Sequence, residues 1–119
     1  MDTNMILRDG TAALTADEAL TAVKVGPMLR PMTLFVSVEK TSSGDTLDVE
    51  LEFSDDGSTQ IENLNMKQIT TLGLYSVPFY TRHKYLQVKL NETNNGGLDF
   101  GVLKVWIAPA GRDVAGGLS

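Results

Sequence analysis

The stretch LDVELEFSDDGSTQIENL, residues 47–64, decides the fold class of this 119-residue chain. Apolar and polar residues alternate through its first half, which is the pattern of a β-strand with one buried and one solvated face. The alternation ends at SDDGS, residues 54–58, where Asp and Gly favour a turn. The stretch therefore predicts a hairpin whose first strand buries Leu47, Val49, Leu51 and Phe53.

Strand-like alternation recurs along the rest of the chain. Segments 32–39, 84–91 and 99–108 alternate strongly, and segments 61–66 and 69–77 do so more weakly. We expect no helix, and we predict an antiparallel β-sandwich of jelly-roll type, built from six to eight short strands. The predicted core comprises Leu34, Val36, Val38, Val49, Leu51, Phe53, Leu86, Val88, Leu90, Val105 and Ile107.

The length suits one domain flanked by two weakly patterned ends. Residues 1–18 are small and polar, which predicts an N-terminal arm or a first irregular strand. Residues 19–108 form the predicted β-sandwich domain, and the Gly-rich residues 109–119 form a C-terminal tail. A helix capping motif at Thr15 and Glu18 is discounted, because the β-branched segment that follows ends at Gly-Pro.

Composition excludes several functional classes. The chain has no Cys, so it has no disulfide and no Cys-ligated metal, which suits a protein made in a reducing cytosol. A net charge of −5 argues against nucleic-acid binding, which depends largely on Lys and Arg. No apolar run is long enough for a membrane-spanning helix, and the N-terminus has no secretory signal pattern.

The acidic turn at Asp55 and Asp56 has three interpretations: a metal site, a sugar-binding loop or an ordinary turn. It lacks the spacing of an EF-hand calcium loop, so we expect an ordinary turn with no metal and no cofactor. The single histidine, His83, lies between two basic residues and accompanies no nucleophile or phosphate-loop motif. We therefore expect no catalytic residues and no enzymatic activity.

Several aromatic and apolar residues suggest contact surfaces. Tyr75, Phe79 and Tyr80 lie near Pro78, where they form a sugar-binding platform, fill the end of the core or bury against another subunit. Three further residues lie opposite the apolar face of their strands, so we expect a partner, or a loop or arm of the same chain, to cover them. These candidate subunit or capsid contacts are Phe35, Val102 and Trp106.

Four segments together resemble the small jelly-roll decoration, or cement, proteins of tailed bacteriophages. They are LTAVKVG (20–26), PMTLFVSVEK (31–40), VELEFSDDGST (49–59) and PFYTRHKYLQVKLN (78–91). In that family the last of these motifs is a strand that begins with two basic residues followed by Tyr and Leu. This beginning is matched here by His83, Lys84, Tyr85 and Leu86, and the resemblance covers about residues 19–108.

The resemblance implies a structural virion protein on the outer capsid surface, made in the host cytoplasm. Such a protein binds the major capsid protein as a homotrimer and bridges neighbouring capsomers, with no cofactor, no nucleic-acid partner and no membrane. A second hypothesis is a carbohydrate-binding or adhesin β-sandwich module of a phage tail or bacterial surface.

Overall fold

The chain is all-β throughout the part that a computed structural model describes, which is residues 5–14, 17–38, 46–93 and 100–109. No helix occurs in these ranges, as the alternation predicted. The strands are β1 (Met5–Leu14), β2 (Glu18–Ala19), β3 (Val23–Lys24), β4 (Met32–Val38), β5 (Thr46–Ser54), β6 (Glu62–Asn65), β7 (Gly73–Phe79), β8 (Tyr85–Thr93) and β9 (Phe100–Pro109).

The strands form two antiparallel sheets. The four-stranded sheet has the order β1-β9-β4-β7, and the five-stranded sheet has the order β2-β8-β5-β6 with β3 also paired to β8. Strands β2 and β3 pair with different parts of the same strand, β8, so together they act as one interrupted edge strand. The pairs are nested: β1 with β9, β2 and β3 with β8, β4 with β7, and β5 with β6.

The two sheets share one hydrophobic core, to which the inward faces of both contribute. Every residue of the predicted core is buried in it. The core also contains residues from outside the strongly alternating runs, where the periodic pattern is weak or absent. These additional members are Leu20, Met28, Ile69 and Phe79.

Residues 47–64 form the predicted hairpin. Strands β5 and β6 pair from Glu50 opposite Asn65 to Phe53 opposite Glu62. On its other side β5 pairs with β8 along its full length, from Thr46 opposite Thr93 to Ser54 opposite Tyr85. The alternating strand therefore lies inside the five-stranded sheet, with one face in the core and the other outward.

The N-terminal arm is not confirmed, because residues 5–14 form an edge strand of the four-stranded sheet. Strand β1 pairs with β9 through three register shifts, which removes the regular alternation of an ideal strand. Arg8 fixes it further by donating from Nη1 to the carbonyl of Leu103 at 2.6 Å. The alternative of a first irregular strand is the correct one for this segment. Residues 1–4, 15–16 and 110–119 lie outside the described part.

Strand β7 continues through Pro78 to Phe79, with Pro78 opposite Thr33. A proline has no backbone N–H to donate, so it would interrupt the pairing of a central strand. Strand β7 is the edge of its sheet, so it has a neighbour on one side only. A proline is tolerated in an edge strand because its missing N–H can fall on the unpaired side.

Candidate functional site

The acidic turn is built by its own side chains. The Asp56 Oδ1 atom accepts hydrogen bonds from the backbone N–H groups of Ser58 at 2.8 Å and Thr59 at 2.7 Å. Gly57 has a φ of +86°, which a glycine adopts without strain, and its N–H donates to the Ser54 hydroxyl. The turn prediction is confirmed. The bonds from Thr59 and Ser58 favour the ionised carboxylate and lower the pKa of Asp56 to about 2.

His83 lies at the entry to β8, between two carboxylates of the β5–β6 hairpin. Its Nδ1 atom is 3.3 Å from both carboxylate oxygens of Asp55, and its Nε2 atom is 3.7 Å from Glu62 Oε1. The two ring nitrogens point to different partners, so this arrangement holds the hairpin loop to β8. Within the described ranges, no cluster of three or more His, Cys, Asp or Glu side chains is arranged to hold a metal ion.

The outer face of the four-stranded sheet carries a stacked aromatic pair. Phe35 of β4 lies opposite Trp106 of β9, with ring centroids 5.3 Å apart and planes inclined by 14°. Lys104 lies on the same face of β9, with its Nζ atom 5.4 Å from the centroid of the Trp106 ring. Two of the three sequence-predicted contact residues are therefore neighbours across a strand pair. The side chain of Val102 lies outside the described part.

Further apolar side chains extend this surface. Ile6 of β1 lies opposite Trp106 on the other side of β9 and is 56% exposed. Leu74 of β7 is 63% exposed on the same sheet. We call these four residues, Ile6, Phe35, Leu74 and Trp106, the outer apolar face. The sequence pattern did not indicate Ile6 or Leu74, because one lies in an irregular strand and the other in a weakly alternating one.

The outer face of the five-stranded sheet is polar by contrast. Its side chains bond to one another: Asn63 donates to Glu50 at 2.8 Å, and Lys89 pairs with Glu52 at 3.2 Å. Such mutual pairing is typical of a solvated sheet face. The two sheets therefore differ in character on their outward sides, and the outer apolar face belongs to the four-stranded sheet.

The three aromatics around Pro78 do not form one exposed platform. Phe79 is buried in the core, with its ring centroid 5.9 Å from that of Phe53. Tyr75 packs partly against the core, and its hydroxyl lies 2.8 Å from both the carbonyl and the hydroxyl of Thr71. Tyr80 is 47% exposed. The core-filling interpretation is correct for Phe79, and a sugar platform made of all three residues does not form.

No protein-family model matches the chain, and a search of the curated proteins finds no match. Among the described residues, no helix has the length and apolar character needed to cross a membrane. The outward faces of the two sheets are therefore the basis for assigning a function.

Proposed function

We propose that this chain is a capsid decoration, or cement, protein: a structural virion component that binds the outer surface of a phage head. In this proposal it forms a homotrimer, contacts the major capsid protein and stabilises the joints between capsomers. Its role is structural, with no cofactor and no catalytic residue. It is made in the host cytoplasm and acts on the assembled virion.

The strand order supports a jelly-roll fold, on which the proposal draws. With β2 and β3 counted as one interrupted strand, the chain changes sheet at every connection except the β5–β6 hairpin. The nested pairing of first with last strand, second with second-last and so on supports a double-sheet jelly roll. Jelly rolls occur in viral capsid proteins and also in lectins, so the fold alone does not determine the function.

The outer apolar face is the observation that carries the proposal. Phe35 and Trp106 stack on the outward side of a sheet, beside Ile6 and Leu74, which are more than half exposed. Aromatic side chains are enriched in the buried centres of protein interfaces, where a few of them supply much of the binding energy. A second copy of the chain or the capsid surface would bury this face, which fits a protein that acts by binding other proteins.

The direct test is rebinding to undecorated heads. Purified chain is mixed with heads of the encoding phage that lack decoration, and bound protein is measured after sedimentation and mapped by cryo-electron microscopy. We expect saturable binding at defined lattice positions, with density for three copies at each position. Failure to bind heads, combined with binding to a glycan array or to host cells, would contradict the proposal and favour the adhesin hypothesis.

A further inference from the structure

Three loops are hydrogen-bonded to one another at one end of the molecule, and they expose side chains of types that are common in protein interfaces. These loops are β3–β4 (25–31), β5–β6 (55–61) and β7–β8 (80–84). They meet at one end because Met32 pairs with Phe79 and Ser54 pairs with Tyr85. We name the exposed residues Leu29, Arg30, Tyr80 and Arg82 the loop-end patch.

Backbone hydrogen bonds fix the β3–β4 loop to the β7–β8 loop. The N–H groups of Val25 and Gly26 donate to the Lys84 carbonyl at 2.8 and 3.1 Å, and the Met28 N–H donates to the Thr81 carbonyl at 3.2 Å. A Cβ at Gly26 would lie 2.3 Å from the His83 carbonyl oxygen, so glycine is needed for this close approach. Met28 itself is buried, and its sulfur lies 3.4 Å from the Thr81 nitrogen.

The third loop joins the same network. The Lys84 N–H lies 3.1 Å from the Ser54 carbonyl and 3.3 Å from Asp55 Oδ1. The carboxylate of Asp55 also contacts the ring of His83, and that of Asp56 accepts bonds from its own turn. The acidic groups of this end are thus engaged locally, while neither Arg30 nor Arg82 has an ion pair with another described residue.

Leu29 projects from this fixed base and is 96% exposed, directly after the buried Met28. A single exposed leucine is ordinary on a protein surface. Here, however, the preceding residue, Met28, is buried and its N–H is hydrogen-bonded to Thr81, so less conformational entropy remains to be lost on binding than in a free loop. Tyr80 and Arg82 flank Thr81, whose carbonyl accepts a hydrogen bond from the Met28 N–H. The residues of the patch are therefore close in sequence to the two residues that this bond joins. Tyr and Arg are enriched among residues that dominate binding energy.

We infer that the loop-end patch is a second docking surface, and that it takes a protein partner with an apolar pocket rimmed by carboxylates. Leu29 fills the pocket, and Arg30 and Arg82 pair with the rim. This inference rests on the proposed function, in which the partner is the capsid shell. Charge complementarity supports an acidic rim, because both arginines are exposed and have no ion pair within the described part of a chain whose net charge is −5. With the outer apolar face, the patch gives the chain two contact regions, as bridging requires.

The test compares variants in the head-binding assay. We expect Leu29→Ala to weaken binding to undecorated heads by roughly tenfold or more, and Arg30→Ala/Arg82→Ala to weaken it and flatten its dependence on NaCl. The matched controls are Leu72→Ala and Lys67→Ala. Leu72 is 63% exposed and precedes β7, at the opposite end of that strand from Tyr80. Both controls should bind as the wild type does, and urea midpoints should be unchanged for all variants.

The outcomes separate the two claims. Wild-type affinity in Leu29→Ala overturns the docking inference while leaving the cement function intact. Loss of affinity in the arginine variant alone also overturns it, because a purely electrostatic contact needs no apolar pocket. If the wild-type chain itself does not bind heads, the proposed function fails and the inference fails with it.

Discussion

Phe35 and Trp106 stack across the β4–β9 pair, on the side of the sheet that faces away from the core. The next residues along the two strands, Val36 and Val105, are also paired and are fully buried. The same strand pair thus presents an apolar row on each side. A sheet that is apolar on both sides is expected to be covered on both.

Replacing Trp106 with Ala should weaken self-association. The indole supplies a large contact area and half of the stacked pair, so we expect a cost of about 2 kcal/mol or more in association free energy. Sedimentation equilibrium over a range of concentrations measures it. Trp106→Phe keeps a stacked ring and is the control. A wild-type chain that stays monomeric at micromolar concentration would remove the homotrimer for the free protein, leaving trimerisation on the capsid lattice to be tested separately.

Truncating the core should be far more costly than truncating the surface. Leu51 and Val88 lie opposite each other in the β5–β8 register and are buried. We expect Leu51→Ala to lower the free energy of unfolding by about 2–4 kcal/mol, through lost burial and the cavity that remains. Val88→Ala should also lower the free energy of unfolding, whereas Leu72→Ala should change that free energy by less than about 0.5 kcal/mol. Urea denaturation checks all three, and unchanged midpoints for both core variants would contradict the assigned faces.

Regular alternation made the fold class and the core predictable from sequence. In β4 and β5, and over residues 86–90 of β8 and 103–107 of β9, every second residue is apolar, and a period of two leaves only one choice of buried face. Strand β1 was not predictable from alternation because its register shifts break that period. Three core residues were missed for a different reason: Leu20 and Met28 lie outside the alternating runs and Ile69 only begins a weak one, so the burial of each depends on which segment packs where.

Two of the four residues of the outer apolar face were predictable from the sequence, but their arrangement was not. Phe35 and Trp106 each stood out as an aromatic residue out of phase with its strand. That they stack depends on β4 lying beside β9, a pairing between distant parts of the chain that local pattern does not specify. Leu29 gave no signal at all, because its exposure depends on how the preceding residue, Met28, is buried and hydrogen-bonded to Thr81.

Stability should depend on pH through Asp56. Its pKa is lowered from 3.8 to about 2 by the bonds from Thr59 and Ser58. Because the folded-state pKa is the lower one, the ionised group stabilises the fold above about pH 4, and this contribution is lost as the pH falls toward 2. Asp56→Asn cannot ionise, so we expect it to have a lower urea midpoint than the wild type at about pH 6.5 and a smaller deficit at about pH 2.5. A deficit of constant size would contradict the assignment.

Calcium removal should leave stability unchanged. The Oδ1 atom of Asp56 accepts hydrogen bonds from two backbone N–H groups of the turn, and Asp55 faces His83 and the Lys84 N–H of the β7–β8 loop, so both carboxylates already have partners. We expect the same melting temperature with excess EGTA and with millimolar calcium, measured by differential scanning fluorimetry. A melting temperature that falls with chelator and recovers with calcium would show that the turn holds a metal.

Deleting residues 1–12 should destabilise the protein, in contrast to what an N-terminal arm would predict. The deletion removes most of β1, which covers one edge of β9, and it removes Arg8. Arg8 donates from Nη1 to the Leu103 carbonyl at 2.6 Å and pairs through Nε with Glu18 at 3.2 Å, so it links β1 to both sheets. The exposed edge of β9 would also offer unpaired backbone groups to other chains. We therefore expect a lower melting temperature and increased aggregation, measured by calorimetry and light scattering.

Two shorter deletions are the controls for this prediction. Removing residues 1–4 leaves β1 intact, and removing the tail after Pro109 leaves β9 intact. Both should keep the wild-type melting temperature, because both leave every described strand intact. In the head-binding assay, full affinity in both would show that these terminal segments do not attach the protein to the shell. A wild-type melting temperature after deletion of residues 1–12 would show that β1 contributes little to the sheet, and would restore the interpretation of that segment as an arm.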